Sequence, residues 1–133
     1  MWRFKRVFAL AALLSMVGQT YADEQSLIQI RAPDREISVP AESIVEVSMV
    51  AGVNDGLAVW LRLDGEHARE LGQLTQTNIG QVVKIFVCGG LILEPMIQTP
   101  ILGGSLILSN PDPQVVERIF AALQSGKCTG DDE

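Results

Sequence analysis

The sequence predicts an α+β fold, in which an antiparallel sheet of about five strands has two helices packed on one face. Two observations carry this prediction. Short segments rich in β-branched and apolar residues lie between turn signals and lack long parallel crossovers, which favours antiparallel pairing. Two other segments repeat apolar residues at helical spacing, so each has one stripe to bury against the sheet. The strand segments are residues 44–50, 57–63, 82–87, 91–97 and 105–109.

The first two strands are predicted to form a hairpin. Residues 44–50 and 57–63 each alternate between two faces, as half-buried strands do. The glycine-containing residues 52–56 lie between them and provide the turn.

A helix is predicted directly after this hairpin. Asp64 is a favourable N-cap, because its carboxylate can accept a backbone N–H of the first turn. The helix is expected to run to about Thr77, and Asn78 can end it because Asn tolerates the left-handed conformation. Its apolar stripe consists of Ala68, Leu71 and Leu74.

The next two strands are predicted to form a second hairpin. The turn between them is residues 88–90, where glycines allow the positive φ that a tight turn requires. Pro95 cannot donate a ladder hydrogen bond, so it marks an edge or a bulge. Residues 100–104 then interrupt the chain before the last strand.

The second helix has the clearest boundaries. Asp112 is a good N-cap, and Pro113 suits the first helical position because its missing N–H costs nothing there. Gly126 is a fitting stop. The apolar face consists of Val115, Val116, Ile119, Phe120 and Leu123.

Residues 1–22 are predicted to be a cleaved signal peptide. Basic residues precede an apolar run at 7–18, and the small residues Thr20 and Ala22 follow it. The alternative is a permanent anchor, but a spanning helix needs roughly 20 apolar residues. We therefore expect a periplasmic or secreted protein, cleaved after Ala22 and without a membrane span.

Cleavage would leave 111 residues, an ordinary size for one domain. We expect residues 23–43 to form a loose hairpin or an extended arm, 44–126 an α+β domain, and 127–133 an acidic tail. The cleaved chain would have 7 basic and 16 acidic residues, so its formal charge would change from −6 to −9. An acidic domain is poorly suited to bind nucleic acid or anionic lipid.

Cys88 and Cys128 are predicted to form a disulfide. An even number of cysteines in an exported chain favours a bridge, and two cysteines are too few for a metal site without other ligands. Closing a loop of 41 residues would constrain the unfolded chain by about 4 kcal/mol.

No catalytic, metal or cofactor site is predicted. His67 is the single histidine and has no nucleophile motif around it, so we interpret it as a surface residue of the first helix. The chain also lacks the spaced ligands of a calcium loop and the Lys-Ser/Thr of a phosphate loop. The predicted sheet offers two alternatives: an uncovered edge can accept an extended peptide as an added strand, or residues 23–43 or Pro95 blunt that edge.

A series of turn residues follows the first predicted helix, which ends in Leu-Thr. The series consists of Asn78, Gly80, Gly89, Pro95, Pro100, Gly103 and Gly104. In this order and spacing, residues 57–125 resemble the head of the first periplasmic domain of the SecD and SecDF protein-export subunits. The similarity covers about half of the chain.

This resemblance implies an α+β domain and contact with unfolded exported chains. The family's turn usually carries Asp-Gly where this chain has Cys88 and Gly89, and its charged membrane helices have no counterpart here, so motor activity is not expected. The leading prediction is an exported, non-enzymatic accessory module that binds polypeptide in the cell envelope. The alternative is a periplasmic inhibitor or immunity-type protein with one specific partner.

Overall fold

The computed structural model describes residues 26–128, which form two antiparallel sheets and two α-helices. The first sheet consists of β1 (Ile28–Arg31), β2 (Glu36–Val39), β5 (Lys84–Val87) and β6 (Gly90–Leu93), in the order β2-β1-β5-β6. The second consists of β3 (Ile44–Ala51), β4 (Leu57–Leu63) and β7 (Ser105–Ser109), in the order β3-β4-β7. The helices are α1 (Gly65–Gln76) and α2 (Pro113–Ser125).

The α+β class is confirmed, and the strands are divided differently from the single sheet of about five that the sequence predicts. Residues 28–39 form the hairpin β1–β2, and β1 pairs with β5 along its whole length, which extends the first sheet. Between β6 and β7 the described chain has no ladder. After β6, Met96 pairs with Val82, which lies just before β5, so this part of the chain continues along the first sheet and does not fold back to pair with β6.

Both helices have the predicted boundaries, although Asn78 ends α1 without the left-handed conformation that the sequence predicted there. At the start of α1, Asp64 Oδ1 accepts the backbone N–H of His67 at 2.9 Å. At the start of α2, Asp112 Oδ1 accepts the backbone N–H of Gln114 at 3.0 Å. Gly126 ends α2 with a φ of 77°, a left-handed conformation that glycine adopts without strain.

One continuous apolar core joins the two sheets and the two helices. Alternate residues of the strands point into it, and α2 packs against β3 and β4. The largest side chains buried in it are Ile28, Ile30, Leu61, Leu71, Leu74 and Leu108. Across residues 26–128, neither helix has the length and apolar character needed to span a membrane.

Two predicted segments fall outside this description. The signal peptide at 1–22 lies before the first described residue, and residues 129–133 of the acidic tail lie after the last. Both therefore stay predictions.

Candidate functional site

Asn78 connects the C-terminal end of α1 to the turn between β1 and β2. It is buried, and its Nδ2 atom donates to the Leu74 carbonyl oxygen and to Asp34 Oδ1, both at 2.8 Å. The first hydrogen bond satisfies a carbonyl at the helix end, where no intrahelical partner exists. The hydrogen bond from Asn78, together with one from the Thr77 hydroxyl, holds the pKa of Asp34 below its ordinary value.

Thr75 and Gly104 attach the connection between β6 and β7 to α1. The buried Thr75 hydroxyl donates to the Leu71 carbonyl oxygen at 2.8 Å and accepts the Ile101 backbone N–H at 2.9 Å. Gly104 has a φ of +79°, and a Cβ added to it would lie 2.6 Å from the Cβ of Ala68. Glycine is therefore required at this position both by the backbone conformation and by the close approach to the helix.

Gly80 and Pro95 belong to a short antiparallel pairing outside the named strands. The Gly80 N–H donates to the Ile97 carbonyl oxygen at 2.7 Å, and the Ile97 N–H donates to the Gln81 carbonyl oxygen at 3.0 Å. The Val83 N–H then donates to the Pro95 carbonyl oxygen at 2.9 Å. Pro95 contributes only its acceptor, so its missing N–H costs nothing at this edge.

These contacts shape an apolar groove of about 440 Å³ between the two sheets. It lies between the end of β6, the connection 94–104 and the start of β7, and it reaches down to α1. None of the described residues that line it is charged. Two of its apolar side chains are largely exposed, Met96 at 56% and Ile107 at 60%. The groove is defined here by Leu71, Leu74, Leu93, Met96, Ile101, Leu106 and Ile107.

The strand β7 presents backbone groups to this groove. The Leu63 N–H donates to the Gly104 carbonyl oxygen at 2.9 Å. In the antiparallel ladder, the backbone N–H and C=O groups of every second residue after Gly104 therefore face β4. The N–H and C=O groups of Ser105 and Ile107 therefore point away from β4. Within residues 26–128 no strand pairs with this edge, although β6 lies beside part of β7. An extended segment can hydrogen-bond here while its side chains enter the groove.

The two sheets are linked where β7 ends. Asn110, which follows β7, donates from Nδ2 to the Ile92 carbonyl oxygen of β6 at 2.9 Å. The Cys88–Cys128 disulfide is present and joins the turn between β5 and β6 to the segment after α2. In that turn both Cys88 and Gly89 have positive φ, 53° and 82°. Two successive positive φ values suit a two-residue hairpin turn.

His67 does not line the groove. Its Nδ1 lies 2.9 Å from Asp64 Oδ1, the same oxygen that accepts its backbone N–H. That backbone hydrogen bond, followed by the side-chain one, holds the pKa of Asp64 below its ordinary value. Among residues 26–128, no three potential metal ligands cluster here or elsewhere. Through these hydrogen bonds, Asp64 caps the N-terminus of α1. His67 lines a neighbouring pocket together with the polar residues Arg35, Glu36, Ser38 and Glu70.

The predicted turn residues thus divide between two places. Asn78, Gly80, Pro95, Gly104 and the residue after Pro100 position the walls of the groove, whereas Gly89 forms the disulfide turn. No atom comes close enough to Gly103 to require a glycine there. The exposed side chains of Met96 and Ile107 were not predicted. Alternation in the last strand indicates that Ile107 faces away from Leu106 and Leu108, but not that β7 lies at an edge.

Comparison with known proteins agrees with the resemblance seen in the sequence. The family model of the SecDF P1 head subdomain matches residues 19–128. A solved structure of SecDF, described as a membrane component that enhances protein export, has 21% identity and a TM-score of 0.58 over 74% of this chain and 46% of that chain. SecDF in its super-membrane-facing form matches with the same identity and TM-score, over 74% of this chain and 14% of that chain.

These similarities to solved structures concern the fold. The chain spans less than half the length of either SecDF chain that it matches. No curated protein matches the sequence.

Proposed function

The chain belongs to the SecDF P1 head subdomain family, and from this premise we propose that it is a non-enzymatic accessory module of protein export that contacts extended polypeptide. The observation that supports this most directly is the uncharged groove beside the unpaired edge of β7. The two features together match what an unfolded chain offers, which is a repeating backbone and intermittent apolar side chains.

The backbone part of this contact does not depend on sequence. Ser105 and Ile107 present N–H and C=O groups that can bind the backbone of any extended segment. This suits a module that must accept many different exported chains.

The side-chain part favours apolar segments. Full burial of one Leu or Val side chain contributes roughly 1.5–3 kcal/mol. A charged side chain would lose its water in a groove without an opposite charge, which is costly. Because the groove is short, only a few side chains can enter it, so we expect weak and reversible binding.

The predicted location agrees with this role. Disulfides persist in oxidising compartments such as the periplasm, and the Cys88–Cys128 bond is consistent with that environment. The predicted signal peptide at 1–22 would deliver the chain there.

A matched pair of substitutions tests the groove. Ile107→Asp places a carboxylate on the groove, and Val45→Asp places one on β3 at a residue that does not line it. The two side chains have similar exposure, 60% and 50%. Binding is measured by fluorescence anisotropy with a labelled, uncharged peptide of alternating apolar and polar residues, after circular dichroism has shown that both variants are folded.

We expect Ile107→Asp to weaken binding by at least about tenfold, because the new carboxylate would be desolvated without a partner. Val45→Asp should change it by less than about twofold. An unmodified protein that binds no such peptide, or equal effects of the two substitutions, would contradict the proposed contact.

The export role is tested in cells. A photo-crosslinking amino acid at Met96 should form adducts with several different exported precursors when translocation is arrested, and one at Val45 should not. Adducts with a single folded partner would instead support the inhibitor or immunity-type alternative.

A further inference from the structure

The Cys88–Cys128 bond joins the first sheet to the segment after α2, the helix that packs on the second sheet. Cys88 lies in the turn between β5 and β6, at the edge of the first sheet. Cys128 follows α2, which packs against β3 and β4 of the second sheet. The bond therefore holds the β5–β6 hairpin against the helix that covers the other sheet.

We propose that this disulfide is a redox-sensitive staple that keeps the groove in its binding shape, and that its reduction by a dithiol lowers the affinity of the groove for polypeptide. This inference rests on the proposed function. It concerns the regulation of the groove, whereas the binding itself is the proposed function.

The position of β6 depends on few contacts. Among the described strands, β6 pairs only with β5, and the ladder has an irregularity between Ile85 and Phe86. At its other edge β6 lies beside β7, and Asn110 donates a hydrogen bond to the Ile92 carbonyl oxygen. The disulfide is the covalent link at the tip of the hairpin. Without it, this hydrogen bond and the partial packing of Ile92 and Leu93 against the core would hold β6 beside the second sheet, and we expect β6 to separate from that sheet more readily.

Movement of β6 would change the groove directly. Leu93, the last residue of β6, lines the groove, and the connection that follows β6 forms another of its walls. A site that is held in its bound shape loses less entropy on binding than a mobile one. The reduced protein is therefore expected to bind more weakly, although its backbone groups and apolar residues are the same.

The disulfide is accessible for thiol–disulfide exchange with a dithiol of another protein. Cys88 is exposed at the tip of a hairpin, where a thiolate can approach it. One thiolate of a thioredoxin-type dithiol attacks one sulfur, forms a mixed disulfide and releases the other cysteine as a thiolate. The second thiol of the donor then displaces the remaining cysteine. The donor supplies two electrons and two protons in total, and it becomes a disulfide while Cys88 and Cys128 become thiols.

The experiment compares oxidised and dithiothreitol-reduced protein, with the number of free thiols counted in each sample. Hydrogen exchange of the β6 amides reports the staple without any ligand, and anisotropy with the uncharged peptide reports the groove. A Cys88→Ser/Cys128→Ser variant, treated in parallel, shows whether dithiothreitol acts through this bond. If that variant does not fold, reduced wild-type protein with alkylated cysteines replaces it.

We expect reduction to accelerate exchange in β6 and to weaken peptide binding by at least about fivefold, at the lower end of typical coupling between sites. Unchanged exchange in β6 would overturn the staple, whether or not the peptide binds. Unchanged affinity despite faster exchange would overturn the control of the groove by the disulfide.

Loss of the whole fold on reduction, seen by circular dichroism, would also overturn the proposal, because the bond would then be a purely structural cross-link. An oxidised protein that binds no peptide would contradict the proposed function and also the control of the groove by the bond, while exchange in β6 would still decide whether the staple exists.

Discussion

Substitution of Gly104 by Ala should destabilise the fold more than the same change at other glycines. The new Cβ would lie 2.6 Å from the Cβ of Ala68, whereas carbon atoms in contact prefer about 3.5–4.0 Å. Overpacking of this kind typically costs about 1–3 kcal/mol. The φ of +79° adds about 1–2 kcal/mol for a residue with a Cβ. We therefore expect Gly104→Ala to lower the free energy of unfolding by about 3 kcal/mol.

Two other glycines of the chain separate these contributions. A Cβ at Gly89 would meet nothing within 4 Å, but its φ is +82°, so Gly89→Ala should cost only the conformational part, about 1–2 kcal/mol. A Cβ at Gly103 would also meet nothing within 4 Å, and its φ is not in the left-handed range. Gly103→Ala should be neutral or slightly stabilising, because alanine reduces the entropy of the unfolded chain.

Urea unfolding followed by far-ultraviolet circular dichroism measures all three changes. A loss of about 3 kcal/mol corresponds to a fall of roughly 10 °C or more in Tm for a domain of this size. Adding Ala68→Gly to the Gly104→Ala variant should restore part of the stability, and a double-mutant cycle isolates that coupling from the cost of glycine in a helix. Equal losses at Gly104 and Gly89, or no coupling to Ala68, would refute the close approach of the connection to α1.

Two further predictions concern the links around α1. Asn78→Ala should lower the free energy of unfolding by about 2 kcal/mol, because it removes the shorter of the side-chain hydrogen bonds to the Leu74 carbonyl oxygen and to Asp34 and leaves those that the Thr77 hydroxyl donates; a loss no larger than that of Thr77→Ala would contradict this. Because the folded-state pKa values of Asp34 and Asp64 lie below 3.8, their ionised forms stabilise the fold above that pH, and this contribution is lost as the pH falls below 3.8. Urea midpoints measured between pH 5 and pH 2 should fall less steeply for Asp34→Asn/Asp64→Asn than for the unmodified protein, and parallel curves would rule out this source of acid sensitivity.

Local patterns predicted the elements well because each depends on neighbouring residues. Caps at Asp64 and Asp112 accept backbone N–H groups two or three residues away, so the sequence contains both partners. The disulfide was predicted from the number of cysteines and the expected compartment, and it is confirmed. The turn residues that carry the family resemblance were also visible, although the sequence did not show what each one contacts.

The groove was beyond the reach of such patterns, because it depends on which strand edges meet. Residues 28–39 read equally well as a hairpin or an extended arm, yet they form two strands of the first sheet. Once they occupy one side of β5, β6 lies on the other and becomes an edge. Periodicity gives the face of a strand that is buried, but it carries no information about the neighbour across the ladder.

The amino-acid sequence alone predicts the α+β class, the boundaries of both helices, the disulfide and the family resemblance. These follow from local capping, periodicity, residue counts and motif spacing. The tertiary structure alone decided that the strands divide into two sheets, and that Met96 and Ile107 flank an uncharged groove between them. The physical reason is that a groove is made by residues distant in sequence, held by contacts such as Thr75 to Ile101 and Asn110 to Ile92. Those contacts exist only after the chain has folded.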